Sequence, residues 1–114
     1  MSVCEKGAEG VSPTQRTLKW LRDAGYLCEV VEHWNPFAKI RQDLFGAIDI
    51  VASSPECPIL GVQCTSDSNF AARLKKLRDS DKVQQLLKNG WHIWVLGWKK
   101  GSKEPRVYSF GGDV

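Results

Sequence analysis

Two apolar segments near the middle of the chain contain polar side chains where buried strands would normally be apolar. Asp49 lies inside the apolar segment 47–52, and Gln63 and Thr65 interrupt the segment 59–65 at alternate positions. Side chains two residues apart on a strand share a face, so Asp49 lies opposite the other two if these strands pair as a hairpin. Burying polar groups without partners is costly. The pattern therefore predicts a metal site or a hydrogen-bond network around Asp49.

The length and composition are those of a single globular domain. The chain has 114 residues, 42% hydrophobic and 25% charged, with a net charge of +3 that permits a polyanionic partner. The apolar run 91–98 is too short to span a bilayer, and Glu5 and Lys6 interrupt any leader peptide. The four cysteines lack zinc-site spacing and are expected to be unpaired thiols. These features lead us to expect a cytoplasmic protein without a membrane partner or a small-molecule cofactor.

Capping signals and apolar periodicity predict a mixed α/β domain at 12–114 after a flexible N-terminal arm at 1–11. Ser12 and Pro13 mark the start of the first helix, and Gly25 marks its end. The second helix carries a possible break at Ser80-Asp81. Residues 37–46 are expected to form a charged connector. The predicted order is α-β-β-β-α-β-β, with helices at 13–24 and 69–88 and strands at 26–34, 47–52, 59–65, 91–98 and 106–110. We expect a central mixed sheet flanked by helices.

This order resembles the PD-(D/E)XK nuclease superfamily, and within it the small domains of the Holliday-junction-resolvase type. The resemblance covers about residues 12–98. The segment Gly46-Ala-Ile-Asp49 is similar to the glycine-led Asp strand of those enzymes, and Gln63-Cys-Thr65 stands where they carry Glu-x-Lys. The chain is also similar to short uncharacterised proteins encoded in phage and prophage genomes. The resemblance implies a restriction-endonuclease-like fold and a metal-dependent DNA endonuclease.

The same resemblance implies a role for each residue of the candidate site. In such enzymes Mg²⁺ or Mn²⁺ activates water and stabilises the charge developing on the scissile phosphate. The metal ligands here would be Asp49, Asp43 and Gln63, provided that a bend at Gly46 brings Asp43 to Asp49. Thr65 would position water, and Lys76 or Arg73 would supply the missing positive charge. The expected catalytic set is therefore Asp49, Gln63, Thr65 and Lys76. Gln15 lies about where the family often has another glutamate.

Basic and aromatic residues outside this set form the expected DNA-binding surface. Trp34, beside Lys39 and Arg41, could stack on a base while the cations hold phosphates, or it could simply pack a turn on the sheet edge. The charges on the second helix and in the turn after Trp98 are either phosphate contacts or a solvated face. The expected nucleic-acid-binding residues are Trp34, Lys39, Arg41, Arg73, Lys76, Lys99 and Lys100.

Other enzyme classes have little support in the sequence. No Ser-His-Asp set, phosphate-binding glycine loop or dinucleotide-binding pattern is present. The leading hypothesis is metal-dependent hydrolysis of DNA, including branched or otherwise structured DNA. The alternatives are a degenerate nuclease-fold module that binds nucleic acid or a protein without cleavage, and an interaction protein with no nucleic-acid role. A homodimer is possible, with Trp98, Val107 and Phe110 near an exposed edge.

Overall fold

A computed structural model describes residues 11–110 as one α/β domain built around a mixed five-stranded sheet. The predicted arm at 1–11 lies outside the described residues except for Val11, and Cys4 lies outside them as well. In chain order the elements are α1 (Pro13–Asp23), β1 (Leu27–Val30), β2 (His33–Asn35), β3 (Ile40–Gln42), β4 (Ile50–Ser53), β5 (Leu60–Ser66), α2 (Phe70–Arg78), α3 (Asp81–Lys88), β6 (His92–Trp98) and β7 (Arg106–Phe110).

The central sheet has the strand order β1-β4-β5-β6-β7, and β2 and β3 form a separate two-stranded sheet. All neighbours in the central sheet are antiparallel except β5 and β6, which are parallel and connected through α2 and α3. Parallel neighbours need such a crossover because a short turn cannot return the chain to the same end of the sheet. The predicted α/β class and central mixed sheet are confirmed.

Helices cover the two faces of the sheet. On one face, Leu18 and Leu21 of α1 pack in a buried cluster that includes Val62 of β5. On the other face, Phe70 and Leu77 of α2 belong to a second buried cluster, which α3 and β6 complete. Alternation of side chains along β5 and β6 separates these clusters, so the sheet has an apolar layer on each side.

The predicted helix boundaries depended on capping chemistry, and the structure bears most of them out. Ser12 Oγ accepts the Gln15 N–H at 3.2 Å, and Pro13 opens α1. The possible break at Ser80-Asp81 is present, because Ser80 caps α3 by accepting the Val83 N–H at 3.3 Å. No helix among residues 11–110 combines the length and apolar character needed to cross a membrane.

The segment 26–42 differs most from its prediction. The single strand expected at 26–34 is divided into β1 and β2, which lie in different sheets, and the expected connector contains β3. The reversal between β2 and β3 is made by Asn35, whose Oδ1 accepts the N–H groups of Phe37 and Ala38 at 3.0 and 3.1 Å. This Asx turn provides a local alternative to continued strand pairing.

Candidate metal centre

Asp49 lies immediately before β4, which is an interior strand of the central sheet. Its backbone N–H donates to the Val62 carbonyl at 2.9 Å, and its carbonyl accepts the Val31 N–H at 2.8 Å. Asp49 is 4% exposed, and its Oδ2 accepts hydrogen bonds from Gln63 Nε2 at 2.7 Å and from the Cys64 N–H at 2.8 Å. The predicted juxtaposition of Asp49 and Gln63 is therefore confirmed. The expected mid-strand position is wrong, because β4 starts at Ile50 rather than at Ala47 and Asp49 immediately precedes it.

A tight reversal brings Asp43 back to the same point. Leu44 and Ile48 form an isolated antiparallel bridge, and the chain turns between them with positive φ at Phe45 (56°) and Gly46 (70°). Glycine adopts this conformation at low cost, which explains its place in the turn. Gln63 Nε2 lies 3.4 Å from Asp43 Oδ2, a long hydrogen bond. The bend that the metal hypothesis required at Gly46 is present.

Packing of Ile48 holds this turn against the sheet. Ile48 is fully buried, and a Cβ placed on Gly61 would lie 2.6 Å from its Cδ1. A larger residue at position 61 would therefore force the Ile48 side chain to move from its place over β5. Asp49 follows Ile48 in the chain, so its position depends on the contact between Ile48 and Gly61.

Glu32 completes the cluster, and it was not among the residues predicted from the sequence. Ligand oxygens of Glu32, Asp43 and Asp49 all lie within 4.8 Å of one another. Thr14 Oγ1 on α1 donates a hydrogen bond to Glu32 Oε1 at 3.2 Å. Gln15, placed by resemblance near the site, is exposed, and its neighbour Thr14 makes the contact from α1 instead. The sequence feature that could have identified Glu32 is the loss of apolar–polar alternation at Val30-Val31-Glu32, which marks the end of β1.

No positive side chain neutralises the three carboxylates among residues 11–110. The ion pairs of this part of the chain are Lys19–Asp23, Lys75–Asp79 and Arg106–Asp67, and none of them reaches the cluster. Burial, together with the Asp43 carboxyl, raises the pKa of Asp49 to about 7, against the opposing effect of the Cys64 N–H and Gln63. Like charges in a poorly solvated place favour uptake of a proton or a cation.

The donor set fits a hard divalent cation. Separations of up to 4.8 Å are comparable with the roughly 4–5 Å between oxygens on opposite sides of such an ion. Gln63 is 1% exposed, and its Oε1 has no hydrogen-bond partner among the described residues. Rotation of the carboxamide by half a turn would exchange its nitrogen and oxygen, so that Oε1 would face the carboxylates. The cluster can therefore offer three charged ligands and one neutral ligand.

The other expected catalytic residues are not joined to the cluster by any hydrogen bond or ion pair among residues 11–110. Thr65 is buried and shares the face of Gln63, but it pairs across β5–β6 with Gly97. Arg73 is half-buried on α2, whereas Lys76 is exposed. The structure gives no contact through which Lys76 would act at the cluster, so its catalytic role stays a prediction.

The basic turn after β6 borders a separate cleft of about 1150 Å³. Lys99 and Lys100 line it with Arg16, Asp67 and Trp98, and none of the three clustered carboxylates is among its lining residues. Arg16 is already engaged, since its guanidinium lies 4.5 Å from the Trp98 ring centre and donates to the Lys99 and Ser102 carbonyls. The two lysines are exposed, as a phosphate-contact role requires.

The expected dimer edge is only partly available. Val107 is 43% exposed on β7, which is an edge strand of the sheet. Trp98 and Phe110 are buried, because the Trp98 Nε1–H donates to Thr17 Oγ1 at 2.8 Å and Phe110 packs in the core under α2 and α3. All three residues lie on the edge strand β7 or on its neighbour β6, but of the three only Val107 has an exposed side chain, and the homodimer stays a prediction.

One of the buried cysteines, Cys64, adjoins the carboxylate cluster through its backbone N–H. Cys28, Cys57 and Cys64 are free and buried, as expected. Burial raises the pKa of the Cys64 thiol well above its usual range, so it stays protonated and unreactive.

Comparison with known proteins returned no matching family, curated protein or solved structure.

Proposed function

We propose that this protein is a metal-dependent DNA endonuclease whose centre is formed by Asp49, Asp43, Glu32 and Gln63. The observation that carries the proposal is a group of three carboxylates within 4.8 Å of one another that no lysine or arginine neutralises in residues 11–110. A site of this kind gains most from a divalent cation. The reaction, metal-dependent hydrolysis of DNA, is inferred from the resemblance to PD-(D/E)XK nucleases of the resolvase-like and phage-encoded type.

The chain topology supports a restriction-endonuclease-like fold. An antiparallel β1-β4-β5 unit follows α1, and a helical crossover leads to the parallel strand β6. This arrangement corresponds to the α-β-β-β-α-β order that the resemblance implies. In it, Asp49 precedes the second strand of the unit, and Gln63 and Thr65 lie on the third.

Each residue of the centre has a role that follows from its contacts. Asp49, Asp43 and Glu32 would hold Mg²⁺ or Mn²⁺, and Gln63 would add a neutral oxygen. The bound cation activates water and stabilises charge on the phosphate. Glu32 is oriented by Thr14, and Asp49 by the Cys64 N–H, so the ligands are held before any cation arrives.

Residues around the centre would bind DNA and orient water. Thr65 lies two positions from Gln63 on the same face, where its hydroxyl could orient water. Arg73 or Lys76 of α2 would meet the charge of the scissile phosphate, and more distant basic residues would position the flanking DNA. The flanking contacts are proposed for Trp34, Lys39, Arg41, Lys99 and Lys100.

One observation favours a catalytically degenerate binding module instead. Gln63 Nε2 approaches both Asp49 and Asp43, so a neutral amide occupies part of the place that a cation would take. Thr65 also replaces the lysine that the family motif carries. If this amide keeps its orientation, the domain would bind DNA or a protein without cutting it.

A cleavage assay with a parallel metal-binding measurement distinguishes the two functions. Supercoiled, linear and four-way-junction DNA would be incubated with Mg²⁺ or Mn²⁺, using wild type, Asp49→Asn, Glu32→Gln and the control Glu56→Gln. Glu56 is exposed in the β4–β5 turn, so its variant has the same charge change as Glu32→Gln away from the cluster. Mn²⁺ binding would be followed by calorimetry.

The endonuclease proposal expects cleavage and Mn²⁺ binding by wild type and by Glu56→Gln, with both lost in Asp49→Asn and Glu32→Gln. Unfolding curves for the variants exclude loss of the fold. Absence of Mn²⁺ binding and of cleavage in wild type, with DNA affinity retained, would establish the binding module. Cleavage by Asp49→Asn at the wild-type rate would place the active site elsewhere.

A further inference from the structure

The β2–β3 hairpin, residues 33–42, carries large apolar side chains into solvent. Trp34 is 55% exposed, Ile40 is 50% exposed and Phe37, in the turn between the strands, is 97% exposed. The hairpin forms a sheet of its own and pairs with no strand of the central sheet. A group of exposed aromatic side chains on such an element does little for stability and is typical of a binding surface.

The charge of the hairpin suits a polyanion. Residues 33–42 include Lys39 and Arg41 and contain no Asp or Glu. Trp34 and Arg41 are direct cross-strand partners, so their side chains leave the same face of the hairpin. An indole beside a guanidinium can stack on a base while the cation contacts the adjoining phosphate.

The hairpin is joined directly to the carboxylate cluster. Glu32 immediately precedes β2, and Asp43 immediately follows β3, so the two ends of the hairpin carry two of the three clustered acids. At about 3.3 Å per residue, the Phe37 turn lies within roughly 17 Å of the Glu32 backbone and roughly 20 Å of the Asp43 backbone along the hairpin. A strand held along the hairpin would pass close to the proposed metal centre.

We propose that the β2–β3 hairpin binds an unpaired DNA strand, with bases stacked on Trp34 and Phe37 and phosphates contacted by Arg41 and Lys39. Stacking on a side chain needs a free base face, which an intact duplex covers on both sides. The hairpin assignment rests on the proposed nuclease function, because the bound strand would lie next to the proposed metal centre. It defines the substrate as DNA with an unpaired segment next to the cleaved bond.

Binding without metal tests this assignment separately from cleavage. Fluorescence anisotropy would measure the affinity for a short labelled single strand and for the duplex of the same sequence, both in EDTA. The variants are Trp34→Ala, Trp34→Phe and Phe37→Ala, with Ile40→Ala as the matched control. Ile40 pairs with Asn35 on the opposite face from Trp34 and is exposed to a similar extent.

The expected result is a clear preference for the single strand. Affinity should fall roughly 5- to 150-fold in Trp34→Ala, as the loss of one stacked base predicts, and less in Trp34→Phe. Phe37→Ala should also weaken binding, whereas Ile40→Ala should stay within about twofold of wild type. Sedimentation velocity would follow the oligomeric state of the same variants.

Two results would overturn the proposal. One is equal affinity for duplex and single strand, unaffected by Trp34→Ala and Phe37→Ala. The other is a dimer that dissociates in Trp34→Ala while wild type shows no affinity for the single strand, which would make the hairpin an interface between copies. Single-strand binding that depends on Trp34, without cleavage under any condition, would support the hairpin assignment and refute the nuclease function.

Discussion

The carboxylate cluster and the β2–β3 hairpin are neighbours in the chain, and they depart from ordinary burial in opposite directions. The cluster places Asp49 and Gln63 inside the domain, at 4% and 1% exposure. The hairpin leaves Trp34 and Phe37 at 55% and 97% exposure. Polar groups are buried in one region, and aromatic groups are in water in the other.

Stability alone explains neither region. In the cluster, hydrogen bonds to the Cys64 N–H and to Gln63 offset part of the cost of burying Asp49, but the raised pKa shows that a cost remains. In the hairpin, the exposed rings stabilise little. Local departures from the rules of folding concentrate where a protein binds or reacts, and here two of them share the segment 32–49.

The cluster should be the more sensitive region to truncation of an apolar side chain. Ile48→Ala should lower the free energy of unfolding by about 2–5 kcal/mol, because Ile48 is fully buried over Gly61 and anchors the 43–49 turn. Urea denaturation measures this change. A loss under about 1 kcal/mol would mean that the turn is not held by this contact.

The buried carboxylate should also make stability depend on pH. The pKa of Asp49 is raised from 3.8 to about 7 in the folded state, so the folded state binds the proton more tightly than the unfolded state does. Its contribution is fully present below about pH 4 and is lost as the pH rises to about 7. The difference between wild type and Asp49→Asn, measured in EDTA from pH 4 to 8, should change by a few kcal/mol. A difference that is flat with pH would refute the raised pKa.

Adding a methyl group at the Ile48–Gly61 contact should lower the free energy of unfolding less than truncating Ile48 does. Gly61→Ala should destabilise by about 1–3 kcal/mol, since the new methyl group would overlap Ile48. Combining it with Ile48→Val should give a smaller loss than the sum of the single changes, because the shorter side chain leaves room. Additive losses in this double-mutant cycle would mean that Gly61 is not energetically coupled to Ile48 and does not hold the turn.

The hairpin should tolerate loss of its aromatic side chains with little change in stability. Phe37→Ser should alter the free energy of unfolding by less than about 0.5 kcal/mol, because the ring is almost fully in water. Thermal melts beside wild type would show this. A fall comparable with that of Ile48→Ala would mean that Phe37 packs against the domain and that the two regions do not differ as described.

Local chemistry explains why several elements were predictable. Ser12 and Pro13 start α1, Ser80 starts α3, and β7 has the predicted bounds, because capping and alternation act over a few residues. The opposition of Asp49 and Gln63 was also predictable, since strand alternation and a single hairpin were enough to define it.

Contacts distant in sequence account for what was missed. Glu32 reaches the cluster because β1 ends at Val30 and the chain leaves the central sheet, which a single uninterrupted strand at 26–34 did not allow. Trp34 is exposed because β3 pairs with β2 in a separate hairpin rather than with an edge strand of the central sheet. Trp98 looked like an edge residue, but α1 covers it through Thr17.

The sequence by itself determined the α/β class, the helix starts and the pairing of Asp49 with Gln63, because these follow from the short-range periodicity and capping of the chain. The tertiary structure alone decided that Glu32 joins Asp49 and that no lysine of residues 11–110 forms an ion pair with the cluster, and it supplied the bend at Gly46 on which the predicted approach of Asp43 depended. Those positions depend on where a turn packs over Gly61 and on where the hairpin leaves the sheet. Such long-range contacts are set by the filling of the core as a whole, which periodicity does not encode.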